Sequence, residues 1–290
     1  MFNVIVNPRS GEGKKKKITE RALARFAARG EKVRVLETAG AGDAKRLSAQ
    51  VCAEGAGDLV VIGGDGTLHE ALCGMSDFEN TALGLVPAGT GNDFAAAANI
   101  PSSPEAAVDL ILDTRPQYTD FLQLPNGVRG INAAGTGIDV EILKRCRASK
   151  ILRGKFQYVI SLVISLLKFK NYDLTARFNG KEERYSALIA CVGNGHRIGG
   201  GIPMCPKANA WDGLADLVVV DDVKKSRIPA AFVGLMKGRI LEEKFTRFER
   251  CTHVEVVPDR PLTVQVDGEL YDDLPFVVDL VAGKLRMWRG

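Results

Sequence analysis

Two short glycine-rich segments carry the residues whose types and spacing point to chemistry. Residues 63–67 read Gly-Gly-Asp-Gly-Thr after the apolar run 59–62, and residues 87–93 read Pro-Ala-Gly-Thr-Gly-Asn-Asp after the apolar run 83–86. A strand that enters a glycine loop and then a helix brings backbone N–H groups close to phosphates. Asp65 adds a carboxylate that suits a metal–phosphate group or a hydroxyl. The two segments together predict phosphate chemistry, although neither matches the P-loop or the dinucleotide-binding fingerprint.

The first part of the chain alternates strands with helices. Strands are predicted at Phe2–Val6, Val33–Glu37, 59–62 and 83–86, and helices at 14–30, 43–54, 68–74, 93–99 and 105–112. Asp43, Thr67 and Asn92 are predicted to cap three of these helices. The alternation predicts a parallel sheet with helices on both faces, in which ligands bind beyond the carboxyl ends of the strands. Polar loop residues follow all four strand ends, so one site is expected there.

After residue 122 strand-like runs follow one another directly. They lie at 130–134, 174–178, 185–192, Ala215–Val220, 253–257, 262–266, 276–280 and 285–288, with turn signals such as Asn126-Gly127 between them. This pattern predicts an antiparallel, sandwich-like second domain. The expected division is an α/β domain at 1–122 and a β-rich domain at 123–280.

The segment 141–170 interrupts the second domain with a helical pattern. It holds eight Lys/Arg against one Glu, and its stretch 156–169 is almost wholly apolar. Fourteen residues are too few to span a bilayer. Two interpretations stay open: a buried helix, which we favour, and a basic–apolar surface that meets anionic lipid.

Composition excludes several classes of protein. The chain has 290 residues and a net charge of +4, too small to imply nucleic acid. The charge is uneven, since residues 9–34 hold ten Lys/Arg against three Glu. Six cysteines form no C-x-x-C pair and three histidines are dispersed, so neither a zinc site nor a disulfide framework is expected. Neither a signal peptide nor a run of about 18 apolar residues is found, so a cytoplasmic location is expected.

The paired glycine segments resemble the catalytic domain of the diacylglycerol kinase family, whose relatives include sphingosine kinases and bacterial soluble lipid kinases. Further matches are N-P-x-S-G at 7–11, N-G-x-x-x-G-G-G at 194–201 and D-G-E at 267–269. The resemblance implies an N-terminal doubly wound parallel-sheet domain that binds ATP and a C-terminal antiparallel β-sandwich-like domain. The active site would lie in the cleft between them, and the C-terminal tail at about 280–290 would return to the first domain.

The same resemblance assigns roles to individual residues. Glu269 would be the catalytic base, and Asp65 would orient either Mg²⁺–ATP or the acceptor. From the residues alone, Asp267-Gly268 is simply a hairpin turn. The expected nucleotide-binding set lies in the loops at the strand ends and consists of Asn7, Pro8, Arg9, Ser10, Gly11, Thr38, Gly63, Gly64, Asp65, Gly66, Thr67, Leu68, His69 and Thr90. Without the resemblance, Lys14–Lys17 and Thr38 are typical of a solvated helix face and a strand end.

The resemblance also implies a structural Mg²⁺ in addition to the Mg²⁺ that accompanies ATP. Its ligands would be the Asp212 carboxylate and the carbonyl oxygens of Ala215 and Leu217, which are the hard oxygen donors that Mg²⁺ prefers. The residues alone predict only a turn at Asp212-Gly213.

The implied activity is an ATP-dependent lipid kinase, foremost one that converts diacylglycerol to phosphatidic acid. Its partners would be ATP, a lipid alcohol and, when active, an anionic membrane surface, with no nucleic acid. An NAD kinase shares G-G-D-G, but its later motifs are not found here. Phosphofructokinase-type enzymes lack the D-G-E ending. A non-catalytic lipid- or nucleotide-binding regulator on the same fold stays open, since a fold does not fix a function.

Overall fold

The structure, a computed structural model, describes residues 1–8, 13–148, 169 and 171–290. The predicted site residues Arg9, Ser10 and Gly11 lie outside these ranges. The same holds for the predicted helix 156–169, except for Phe169.

The described residues form two sheets and the helices that cover them. The strands are β1 Phe2–Val6, β2 Val33–Glu37, β3 Asp58–Gly63, β4 Leu83–Pro87, β5 Gln117–Gln123, β6 Arg129–Gly130, β7 Ala133–Gly137, β8 Tyr172–Phe178, β9 Lys181–Ala187, β10 Ile189–Gly193, β11 Ala215–Val220, β12 Thr246–Cys251, β13 His253–Pro258, β14 Val264–Val266, β15 Glu269–Tyr271 and β16 Phe276–Met287. The helices are α1 Lys14–Ala28, α2 Asp43–Glu54, α3 Asp65–Gly74, α4 Asp93–Ala97, α5 Pro104–Asp113, α6 Ile138–Ala148 and α7 Ile228–Met236. Short 3-10 turns lie at Pro125–Gly127, Lys225–Arg227 and Ile240–Glu242.

The larger sheet begins with the four parallel strands that the sequence predicted, in the order β2-β1-β3-β4. Their side chains are mostly buried because helices pack on both faces, and Val4, Ile5, Val60 and Val61 have no exposed surface. The carboxyl ends of the four strands meet at one edge. This arrangement and the antiparallel second sheet confirm the predicted fold class.

Strand β16 continues the larger sheet into the second half of the chain. Its last residues pack in the hydrophobic core around the parallel strands. Leu285 and Met287 are fully buried there, and Met287 pairs with Leu83 of β4. Its first residues pair with β13, which leads to β8 and β9. The two predicted strands 276–280 and 285–288 are thus one strand with an irregularity between Val281 and Leu285.

The second sheet has the order β12-β11-β10-β7-β14-β15, with antiparallel neighbours. The predicted strand 185–192 is wrong as a single strand. The chain leaves the larger sheet after β9 and enters the second sheet at β10, and Leu188 lies between them. The Leu188 N–H donates to the Val220 carbonyl and its carbonyl accepts from Ile138, so this corner is hydrogen-bonded on both sides.

Two of the three predicted helix caps are wrong, and the third, Asn92, holds the cap position of α4 without a side-chain cap bond. Helix α3 begins at Asp65, so Gly64 holds the cap position and Thr67 lies in the first turn. Helix α2 is capped by Gly42, while Asp43 accepts the Ala39 N–H. Asn92 makes no side-chain cap and instead bonds to both the N–H and the carbonyl of Gly89. The Asp43 and Asn92 side chains thus bond to the loops that precede their helices.

Much of the basic cluster at 9–34 is engaged within the protein. Arg21, Arg25 and Arg29 of α1 form ion pairs with Glu105, Asp109 and Asp113 of α5. This charge therefore holds two helices together. Among the described residues no helix combines the length and hydrophobicity that a membrane span requires.

Candidate functional site

A cleft of about 380 Å³ lies at the carboxyl ends of β1–β4. Both glycine segments contribute to it, and Glu269 enters from the second sheet. Its lining consists of Asn7, Lys15, Thr38, Gly40, Ala41, Ala44, Gly64, Asp65, Gly66, Thr67, Glu70, Gly89, Thr90 and Glu269. Most of the predicted site residues that the structure describes therefore share one cleft.

The two glycine segments approach each other closely at Gly64 and Gly89. A Cβ on Gly64 would lie 2.8 Å from the Gly89 Cα, and a Cβ on Gly89 would lie 2.6 Å from the Gly64 Cα. Gly63, Gly64 and Gly66 all have φ outside the left-handed region. Positive φ is therefore not the reason for these glycines, and for Gly64 the physical reason is backbone-to-backbone contact with Gly89.

Asp65 lies at the floor of the cleft between the two glycine segments. Its Oδ1 accepts the Phe94 N–H at 3.4 Å, and its Oδ2 lies 3.0 Å from the position of a Cβ on Gly91. Burial raises the pKa of the Asp65 carboxyl above its usual value. Asp93 lies beside it, buried and bonded to the Gly200 N–H at 2.7 Å, and burial also raises the pKa of Asp93. The sequence analysis missed Asp93 because it treated that position only as a helix start.

Glu269 lies above the first turn of α3. Its Oε1 is 3.3 Å from the position of a Cβ on Gly66, and its side chain is 43% exposed. Arg147 of α6 donates to Glu269 Oε2 at 2.8 Å and to the Gly268 carbonyl at 3.0 Å. The carboxylate is thus close to the glycine loop, accessible from solvent and paired with a cation.

The turn that carries Glu269 is fixed by Asp267. The Asp267 carboxylate accepts N–H bonds from Ile131, Asn132 and Ala133 at 2.8–3.0 Å. His69 of α3 lies 3.4 Å from the same carboxylate through Nδ1, and its Nε2 lies 2.6 Å from the Tyr271 hydroxyl. His69 and Asp267 are both nearly fully buried. This contact joins the helix behind the glycine loop to the turn before Glu269.

The pKa of His69 is raised to about 12. Burial alone lowers it, but the hydrogen bond and charge of Asp267, together with Cys73, raise it by more. The imidazole is therefore a cation at neutral pH, and the contact with Asp267 is a buried ion pair.

The structure places some predicted residues away from the cleft and adds others to it. The side chains of Leu68 and His69 are buried in the protein, so only their backbone atoms remain available to a nucleotide. The Thr38 hydroxyl is buried in the lining and has no hydrogen-bond partner among the described residues. Lys15 and Glu70 also line the cleft. Sequence analysis missed both because a lysine run and an acidic helix residue are usually solvated.

The predicted metal ligands lie on β11 of the second sheet and in the turn before it. Arg250 donates to Asp212 and, at 3.2 Å, to Asp216. Asp216 is fully buried, burial raises its pKa to about 6, and its Oδ2 has no partner among the described residues. An unpartnered buried carboxylate oxygen next to a second carboxylate suits a hard cation. Ala215 and Leu217 lie on β11, which begins three residues after Asp212. Within the described ranges, no group of three or more His, Cys, Asp or Glu residues is arranged to hold a metal ion.

A second, apolar cavity of about 90 Å³ lies between α6, α7 and the second sheet. Ile142 of α6 and Ala231, Phe232 and Leu235 of α7 line it, and Asp139 is the one charged residue among its described lining. Burial raises the pKa of Asp139 to about 7. The molecule thus has a polar cleft in one half and a small apolar cavity in the other.

Comparisons with known proteins agree with this arrangement. Residues 1–124 match the model of the diacylglycerol kinase catalytic domain, and residues 132–289 match the YegS C-terminal NAD kinase beta sandwich-like domain. The chain belongs to the diacylglycerol kinase catalytic-domain family. A probable YegS-like lipid kinase of Xanthomonas euvesicatoria pv. vesicatoria is 34% identical over 85% of this chain and 83% of that protein. A diacylglycerol kinase of Mycobacterium tuberculosis is 30% identical over 98% of this chain and 94% of its own.

A solved structure shares the fold of this family member. The crystal structure of a diacylglycerol kinase from Bacillus anthracis superimposes on this chain with a TM-score of 0.76 and 22% sequence identity. The match covers 100% of this chain and 96% of the Bacillus anthracis chain. At that identity the likeness establishes the arrangement of the two sheets. It confirms the fold that the resemblance implied.

The contact between the glycine segments predicts unequal effects of two alanines. Gly64→Ala should lower the free energy of unfolding by about 1–3 kcal/mol, because its Cβ meets backbone that cannot move aside. Gly66→Ala should have little effect on stability, because its Cβ meets only the end of the Glu269 side chain. Chemical denaturation of both variants measures the difference. Equal losses would show that the approach of Gly64 to Gly89 is not the constraint.

The buried His69–Asp267 pair predicts a dependence of stability on pH. The folded pKa of His69 is above the ordinary value of 6.5, so its contribution is complete below pH 6.5 and declines as pH rises towards about 12. The His69→Gln variant should be less stable than the wild type at pH 6. The difference between their free energies of unfolding should become smaller from pH 6 to pH 9, by at most about 1.4 kcal/mol per pH unit. His253→Gln, at an exposed pair, is the control. A deficit that is constant with pH would contradict the assignment.

Proposed function

We propose that this protein is an ATP-dependent lipid kinase that transfers the γ-phosphoryl group to a lipid hydroxyl, with diacylglycerol as acceptor and phosphatidic acid as product. The observation that carries the proposal is the cleft, whose lining brings Asp65 and Glu269 together with both glycine segments. Membership of the family and the names of its relatives support the same class of reaction.

The nucleotide phosphates are proposed to bind at the glycine segments. The start of α3 directs backbone N–H groups and the positive end of the helix dipole towards the cleft. Gly64 and Gly89 leave this backbone uncovered by side chains. Lys15 supplies a positive charge in the lining, and the unpartnered Thr38 hydroxyl supplies a donor. These groups would stabilise the negative charge that develops during transfer.

Glu269 is the proposed general base. The acceptor oxygen forms a bond to the γ-phosphorus, the bond from that phosphorus to the β-phosphate oxygen breaks, and the hydroxyl proton passes to Glu269 while ADP leaves. The Glu269 side chain is 43% exposed, so an acceptor hydroxyl could reach it from solvent. Its pair with Arg147 must open first, since a carboxylate held by a guanidinium is a weaker proton acceptor.

Asp65 has a different proposed role because of its position. It is fixed at the floor of the cleft by the Phe94 N–H, beside Asp93. There it would orient Mg²⁺–ATP against the acceptor. A bound Mg²⁺ supplies positive charge that neutralises phosphate oxygens. The structural Mg²⁺ would be held by Asp212 with the carbonyl oxygens of Ala215 and Leu217, next to the unpartnered oxygen of Asp216.

The acyl chain of the acceptor is proposed to enter the apolar cavity. Its described lining is aliphatic and aromatic except for Asp139. Burial of methylene groups in such a cavity contributes about 0.8 kcal/mol each. A lipid would thereby be held on one side of the molecule with its hydroxyl directed to the other.

A panel of acceptors tests the activity. Radiolabelled ATP is incubated with diacylglycerol, monoacylglycerol, phosphatidylglycerol and sphingosine in mixed micelles, and with NAD in solution. Diacylglycerol should be labelled most rapidly. Labelling of NAD alone would identify an NAD kinase, and ATP binding without labelling of any acceptor would identify a regulator. Either outcome would overturn the proposal.

Substitution of the two carboxylates separates their roles. Glu269→Gln should lower kcat about 10²–10⁴-fold, because it removes the base, and leave ATP affinity nearly unchanged. Asp65→Asn should also raise the ATP or Mg²⁺ concentration that is required. Steady-state phosphorylation and calorimetric ATP binding measure the two effects, with the exposed Glu31→Gln as control. A near-normal kcat in Glu269→Gln would transfer the role of base to Asp65.

Removal of Asp212 tests the structural Mg²⁺. A metal that binds only the folded protein raises its melting temperature by mass action. Mg²⁺ should therefore raise the melting temperature of the wild type more than that of Asp212→Ala, with Asp222→Ala as control. The measurement compares shifts on adding Mg²⁺, because loss of the Arg250 pair lowers stability even without metal. Equal shifts in wild type and Asp212→Ala would show that no such site exists.

A further inference from the structure

Helix α7 presents apolar side chains to solvent. Among the described residues six large hydrophobic side chains are exposed, and two of them, Val233 at 51% and Met236 at 49%, lie on this one helix. Pro229 and Ala230 are also exposed, and none of the nine residues of α7 is fully buried. We call the exposed residues Pro229, Ala230, Val233 and Met236 the α7 surface. It is an apolar helix face that the described parts of the chain leave open.

The charged residues nearest to the α7 surface along the chain are basic. Residues 223–241 contain five Lys/Arg and no Asp or Glu. Lys224 and Arg227 before the helix, and Lys237 and Arg239 after it, are exposed. No ion pair joins these four residues to an acidic group within the described ranges, in contrast to the arginines of α1. Acidic residues lie further out along the chain, at 221–222 and 242–243, and Glu243 Oε1 lies 3.6 Å from the position of a Cβ on Gly234 of α7. An apolar strip with exposed cations at both of its ends is complementary to the surface of an anionic bilayer.

The inner side of the same helix faces the apolar cavity. Ile228, Ala231, Phe232 and Leu235 of α7 contribute to its lining. The helix is therefore the wall between this cavity and solvent. A lipid bilayer that contacts the α7 surface lies one helix diameter, about 10 Å, from the cavity.

We propose that the α7 surface docks onto an anionic lipid bilayer. Val233 and Met236 enter the interface between headgroups and acyl chains, and the four flanking cations contact lipid phosphates. The helix lies in the plane of the surface, because nine residues are too short to cross the hydrocarbon core. Docking places the apolar cavity against the bilayer, so that an acyl chain passes around α7 into it; this second step rests on the proposed function.

Vesicle binding tests the docking without reference to catalysis. The full-length protein is co-sedimented with phosphatidylcholine vesicles that contain or lack phosphatidylserine, a lipid without a free hydroxyl, and no ATP is added. Wild type should bind the vesicles with phosphatidylserine more tightly. Val233→Ser/Met236→Ser should weaken that binding at least about tenfold, as should Lys237→Glu/Arg239→Glu.

Matched variants elsewhere on the surface serve as controls. Val35→Ser/Val257→Ser removes two exposed hydrophobic side chains from strands, and Lys32→Glu/Lys284→Glu reverses two exposed charges far from α7 along the chain. Both should bind like the wild type. Circular dichroism and melting temperature verify that each variant is folded.

Three results would overturn the inference. The first is equal binding of the α7 and control variants. The second is binding of the wild type that does not depend on phosphatidylserine. The third is a concentration-dependent dimer in analytical ultracentrifugation that Val233→Ser/Met236→Ser abolishes, since α7 would then contact a second copy of the chain. Absence of kinase activity towards diacylglycerol in micelles would instead refute the proposed function and leave vesicle binding unaffected.

Discussion

The buried Asp267 carboxylate is the group on which the geometry of the cleft depends. It accepts three backbone N–H bonds from residues 131–133 and contacts the imidazolium of His69. Loss of either His69 or Asp267 would leave the charge of the other buried and uncompensated, which typically costs about 3–5 kcal/mol. Because Glu269 follows two residues later, the same contacts that satisfy Asp267 fix the position of Glu269 above α3. The contacts that compensate the buried charge of Asp267 are therefore the same contacts that position Glu269 in the site.

The approach of the two glycine segments imposes a second constraint on the same cleft. Gly64 and Gly89 lie so close that neither position has room for a Cβ, and Asn92 holds the Gly89 turn through both its N–H and its carbonyl. No side chain covers the point where the two segments meet, and Asp65 lies at the floor of the cleft beside Asp93, with the pKa of both carboxyls raised. A site with uncovered N–H groups and desolvated carboxylates is suited to a reaction in which negative charge moves from one oxygen atom to another.

The two halves of the molecule offer different environments to one amphiphilic acceptor. The polar cleft lies at the ends of β1–β4, and the apolar cavity lies behind α7 in the other half. Strand β16 holds these halves in register, since its first residues pair with β13 and its last residues join the core of the parallel strands. The proposed bilayer contact at α7 lies next to the apolar cavity, so under the proposed function the acyl chain would reach this cavity before the lipid hydroxyl reaches Glu269.

The sequence alone predicted the strands Phe2–Val6 and Val33–Glu37 with their observed bounds, because short runs rich in β-branched and apolar residues between polar loops favour strands locally. The glycine segments, Asp65 and Glu269 were also predicted as site residues, since spacing and resemblance are properties of the chain, and they share one cleft in the structure. The split of 185–192 between two sheets, the single strand β16, and the places of Lys15 and Glu70 in the cleft required the tertiary structure. The contact of His69 with Asp267 joins residues 198 positions apart. Such pairing depends on how the two halves pack, and no local pattern of residue types encodes it.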